Sequence, residues 1–90
     1  MTRKEHTNAG TFALRLTREN DWVRIVALKE GKGTRDRLAG LGLRVGAEVR
    51  VVQNPMNGKL LLDHEGTRLF LGGGLAGKIQ VVAINEGGSK

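Results

Sequence analysis

Few side chains in this 90-residue chain could do chemistry, and their spacing does not assemble them. Asp63-His64-Glu65 joins three metal-ligating residue types. A metal site gathers its ligands from several elements, whereas three consecutive residues on a turn point in different directions. The run is therefore expected to be a solvated turn, with no resident metal or other cofactor. Gly72-Gly73-Gly74-Leu75-Ala76-Gly77-Lys78 fits the first seven positions of a phosphate-cradling GxxxxGK[ST] loop. The eighth position, where a hydroxyl must hold magnesium, is Ile79, and Ile79–Ile84 reads as a strand rather than a helix. A glycine-rich corner is the expectation there. The chain has no cysteine or tyrosine, and its one serine is Ser89. A nucleophile and base held within hydrogen-bond reach cannot be drawn from this set, so the chain is not expected to be an enzyme.

The elements that would position these residues are short. Phe12-Ala13-Leu14-Arg15-Leu16 alternates and reads as a first strand, with Phe12, Leu14 and Leu16 on one face. Trp22–Leu28 is a second, with Val23, Ile25 and Ala27 on one face. From Thr34, a candidate N-cap, the chain reads as a helix of about two turns that must dock through Leu38 and Leu41. Gly42 suits the left-handed residue that ends a helix, and Leu43-Arg44-Val45-Gly46 returns the chain. Glu48–Gln53, Lys59–Asp63, Thr67–Leu71 and Ile79–Ile84 complete the strands. Asn57-Gly58 is the strongest hairpin signal. Closing so small a sheet hides most of its edge, and corners of a tight barrel use glycine. The expected fold is mainly β: a small, partly open barrel of five to six strands with one short helix after the second strand. Residues 12–84 form the domain, and residues 1–11 and 85–90 read as disordered tails.

The net charge is +6, and residues 12–84 carry twelve basic against seven acidic side chains, so the basicity belongs to the fold. It is densest between Lys29 and Arg44. Nucleic acid, an acidic protein surface or anionic lipid headgroups could meet such a patch. The aromatic residues Phe12, Trp22 and Phe70 fall on three separate strands, too dispersed for a base-stacking platform or a proline-peptide groove. The absence of cysteine excludes a disulfide scaffold and thiolate metal sites. No apolar run approaches the length of a membrane span, and the charged start Met1–His6 has no apolar stretch behind it. A cytoplasmic location without membrane insertion is the default expectation.

With the helix and its flanks placed, the chain resembles the FeoA family. The carrying segment is Arg37-Leu38-Ala39-Gly40-Leu41-Gly42-Leu43-Arg44-Val45-Gly46-Ala47-Glu48-Val49, similar to the family's basic-Leu-x-x-Leu-Gly-Leu-x-x-Gly-x-x-Val pattern. Val23–Val26 and Ala76–Val81 resemble its second and closing strands. Asn54–Lys59 departs from the family's Leu-Gly-Asp-Pro hairpin, so a partner contact through that hairpin is not carried over. The resemblance implies an SH3-like barrel that acts as a non-enzymatic, cytoplasmic interaction module. Its implied partner is the cytoplasmic part of a FeoB-like ferrous iron transporter, whose iron uptake it would modulate. The expected contact is a half-exposed leucine with a basic rim, drawn from Leu38, Leu41 and Leu43 with Arg35, Arg37 and Arg44. Gly42 and Gly46 would shape the return turn. The alternative is a small nucleic-acid-binding barrel using its basic surface. A third reading, a domain like the C-terminal SH3-like part of metal-dependent repressors, requires a fused DNA-binding part that these residues do not contain. Self-association through a strand edge is compatible with the pattern, but no feature fixes a stoichiometry.

Overall fold

The computed structural model describes residues 10–55 and 57–84. Its elements are β1 (Phe12–Ala13), a 3-10 turn (Leu14–Leu16), β2 (Trp22–Leu28), α1 (Gly31–Gly40), β3 (Glu48–Gln53), β4 (Leu60–His64), β5 (Thr67–Leu71), α2 (Gly73–Ala76) and β6 (Ile79–Ala83). The strands form one antiparallel sheet in the order β1-β6-β2-β3-β4-β5. It is a small SH3-like barrel, left partly open because β1 and β5 are its two edges.

Alternation drives the wrapping. Val23 and Ile25 of β2, Val49 and Val51 of β3, Leu60 and Leu62 of β4, and Ile79 and Val81 of β6 all point inward and are buried. Leu71 of β5 and Leu14, Leu38, Leu43 and Ala76 from the helical segments and the return turn close the same core. In β2 the register shifts between Ile25 and Ala27, so Ala27 does not continue the inward face and is exposed. A bulge of this kind bends the strand and lets a short sheet curl.

Several elements differ from the sequence expectation. The strand expected over residues 12–16 ends at Ala13. The Thr17 amide and hydroxyl both donate to the Leu14 carbonyl, at 3.1 and 2.8 Å, and close a 3-10 turn. Leu14 is thereby buried while Leu16 turns out to solvent. The helix is longer than expected. It starts at Gly31 after Glu30, which has a φ of 63°, and Thr34 lies inside it rather than capping it. The Asn57-Gly58 pair does not form a two-residue hairpin loop, since neither residue has a positive φ. The two-residue loop is Glu65-Gly66, with φ of 55° and 87°, between the paired ends His64 and Thr67. Of the stretches expected as tails, residues 1–11 and 85–90, residues 1–9 and 85–90 lie outside the described residues.

Candidate interaction groove

The end of α1 decides what surrounds the groove. The Leu43 amide donates to the Leu38 carbonyl at 2.9 Å, and the Gly42 amide to the Ala39 carbonyl at 3.0 Å. This pair of bonds with a left-handed residue between them is a Schellman motif, and Gly42 supplies the φ of 84° that it requires. The motif turns Leu43 back over Leu38, and both are in the core, at 1% and 0% exposure. The chain then runs out through Arg44 and Val45. At Gly46, with φ of 101°, it joins β2: the Gly46 amide donates to the Ile25 carbonyl at 2.8 Å, and the Ile25 amide to the Ala47 carbonyl at 2.9 Å.

That return turn is one wall of an open groove of about 970 Å³. The opposite wall is the β4–β5 hairpin, from Asp63 to Gly66, and Trp22 and Glu48 lie between. The hairpin is braced by Asp63, which accepts from the Gly66 amide at 3.0 Å and from the Arg68 guanidinium at 3.3 Å. The floor is braced by Arg24, whose Nε and Nη2 both donate to Oε2 of Glu48, at 3.2 and 3.1 Å. Val45 is the apolar residue that the groove presents, 52% exposed, with exposed Arg44 beside it. His64 is mostly buried, with its Nε2 3.8 Å from Oε2 of exposed Glu65.

The structure brings together only part of the predicted contact set. Leu38 and Leu43 are packed in the core and have no side-chain surface for a partner. The half-exposed leucine expected at Leu38 is corrected by the Schellman geometry, which needs Leu38 and Leu43 against each other. Leu41 is partly buried and packed on the core. Arg35, Arg37 and Arg44 are exposed and in no ion pair with a described residue. Of the three, only Arg44 borders the groove, while Arg37 borders a separate cleft on the other side of α1. Gly42 and Gly46 both lie in the return turn with positive φ. Sequence reasoning missed Val45, Trp22 and the hairpin wall. The available signal was Val45 itself, an apolar residue in a turn whose neighbours are Arg44 and a left-handed glycine.

Among the described residues, no three histidine or acidic side chains gather where they could hold a metal ion. No described helix is long and apolar enough to cross a membrane.

Residues 12–83 match the FeoA domain family. The chain is 30% identical over 77 residues to the "Putative Fe(2+) transport protein A" of Methanocaldococcus jannaschii, covering 86% of this chain and 93% of that one. In fold it is similar to a crystal structure of an iron uptake regulatory protein, FeoA, with a TM-score of 0.75 and 27% identity over 82% of this chain and 97% of that one. It also superposes on part of a manganese-dependent transcriptional repressor, with a TM-score of 0.74 and 18% identity over 82% of this chain and 42% of that one, a likeness of fold. The barrel, its helix signature and these similarities agree: the chain belongs to the FeoA domain family, small domains associated with Fe(2+) transport.

Proposed function

We propose that this chain is a non-enzymatic, cytoplasmic interaction module that binds the cytoplasmic part of a FeoB-like ferrous iron transporter and modulates iron uptake by contact. The observation that carries this reading is the family match across the whole barrel, together with a relative named for Fe(2+) transport. The groove supports it. An apolar anchor, Val45, stands beside a basic side chain, Arg44, in an open concavity. Anchors of this kind dominate interface energetics while charged rims steer the encounter.

The test is a calorimetric titration of the full chain against the purified cytoplasmic part of the transporter from the same source. Saturable binding that Val45→Asp weakens at least tenfold, with the fold intact by circular dichroism, supports the proposal. A wild-type chain that shows no heat of binding overturns it.

Arg35, Arg37 and Arg44, exposed and in no ion pair among the described residues, favour a second reading, a nucleic-acid surface. It predicts oligonucleotide binding that falls steeply with salt. Against it, Trp22 is half-buried at the groove, Phe12 packs on the core, and Phe70, at 61% exposure, stands alone on an edge strand.

A further inference from the structure

The glycine-rich segment that resembled a phosphate loop faces α1. Gly72, Gly74, Leu75 and Lys78 form one side of a cleft of about 570 Å³, and Glu30, Gly33, Thr34 and Arg37 form the other. Gly33, Thr34 and Arg37 follow i, i+1, i+4 spacing along one side of α1, and Glu30 precedes the helix.

Three observations set this cleft apart. First, Thr34 is 4% exposed, borders the cleft, and its hydroxyl has no hydrogen-bond partner among the described residues. A buried hydroxyl is normally paired, because burying it unpaired costs free energy. A ligand seated in the cleft is the partner within reach. Second, no side chain caps the start of α1, a ten-residue helix. The amides of the first helical turn have no acceptor within the helix, this end carries the positive pole of the helix dipole, and of the first three residues Gly33 borders the cleft. Third, Gly33, Gly72 and Gly74 are required neither by backbone conformation nor by packing. None has a positive φ, and a Cβ on any of them would meet nothing within 4 Å. Leaving them bare keeps the cleft open and its backbone accessible. Arg37, in no ion pair among the described residues, and Lys78 supply the positive charge.

We propose that this cleft is a phosphate-binding site. The Gly33 amide, the Thr34 hydroxyl, Arg37 and Lys78 hold the oxygens of the phosphate group. Ile79, buried at the position of the magnesium-holding hydroxyl, removes the metal half of a nucleotide-hydrolysing loop while leaving phosphate recognition to these donors. Glu30 is the counterweight. Its Oε1 lies 2.9 Å from Nζ of Lys78 and competes with a phosphate for that cation. The site is separate from the groove at Val45, so it stands or falls independently of the transporter reading.

The test is an amide chemical-shift titration of the isotope-labelled full chain at low salt. The probes are inorganic phosphate, pyrophosphate and a nucleoside diphosphate, with chloride as control. The expected result is saturable movement of the Gly31–Thr34 and Gly72–Gly74 amides. Arg37→Gln and Thr34→Val are each expected to weaken binding about tenfold. Glu30→Gln is expected to tighten it severalfold, the opposite sign. Thr34→Val keeps the shape and removes an unpaired buried hydroxyl, so its melting temperature should hold or rise; a folded variant that has lost phosphate is the signature. Stronger binding of the nucleoside diphosphate than of pyrophosphate assigns the phosphate to a nucleotide, and equal binding assigns it to free phosphate. Non-saturating shifts spread over the basic surface overturn the proposal, as does unchanged affinity in both Arg37→Gln and Thr34→Val.

Discussion

The Leu43 amide donates to the Leu38 carbonyl across 2.9 Å, and the two leucine side chains are buried together where that bond folds the chain back. The Leu-x-x-Leu-Gly-Leu pattern is thus explained by the way a helix stops. Leu38 and Leu43 occupy the two positions of a Schellman motif that make its hydrophobic contact, and Gly42 is its left-handed residue. The pattern that identifies the family is structural at these positions, and the proposed partner surface starts just after it, at Arg44 and Val45.

Leu38→Ala should destabilise the barrel by about 2–5 kcal/mol, the usual range for a fully buried leucine that leaves a cavity. Chemical denaturation followed by tryptophan fluorescence at Trp22 measures it. A loss under about 1 kcal/mol would contradict the placement of Leu38 in the core.

Two glycines three positions or fewer from each other should respond with opposite signs. At Gly42, φ is 84°, and Gly42→Ala forces an L side chain into a left-handed conformation at a cost of about 1–2 kcal/mol. Gly40 ends α1 without a positive φ, and a Cβ there meets nothing within 4 Å. Gly40→Ala should therefore stabilise the protein by about 0.4–1 kcal/mol. Paired thermal melts decide it, and a shift of the same sign in both would refute the helix ending described above.

Val45→Asp should change stability by no more than about 0.5 kcal/mol, since half of that side chain is already in water. Its effect should appear in partner affinity instead. A large drop in melting temperature would mean that Val45 supports the fold.

The Arg24–Glu48 pair lies across β2 and β3 and is over a third exposed on both sides or close to it. A double-mutant cycle with Arg24→Gln and Glu48→Gln should give a coupling of about 1 kcal/mol or less that shrinks as salt is added. A coupling that salt does not touch would indicate a groove floor drier than the structure shows.

Much of this architecture is legible along the chain. The strands Trp22–Leu28, Glu48–Gln53 and Thr67–Leu71 follow from alternation and β-branched content, and their bounds agree with the structure. The turn at Gly42 is legible because few residues other than glycine adopt that φ without cost. The start of α1 is not. Two of its first three residues, Gly31 and Gly33, have poor helix preference, and Glu30 enters in a left-handed conformation that no local rule favours. The strand pattern of residues 12–16 also misleads. β6 accepts only Phe12 and Ala13 as partners, and Thr17 then closes a tight turn that sends Leu14 inward.

Local pattern, read from the sequence alone, determined a mainly β barrel, the place of its one substantial helix and the family to which the chain belongs, because side-chain periodicity and glycine conformation act over a few residues. Which leucines are free to touch a partner was decided only by the tertiary structure. Exposure depends on what packs from elsewhere in the chain, and the core claimed Leu38 and Leu43 while the return turn left Val45 outside. The cleft beside Thr34 has the same origin: its two walls are separated by more than thirty residues of sequence, and only the closing of the barrel sets them face to face.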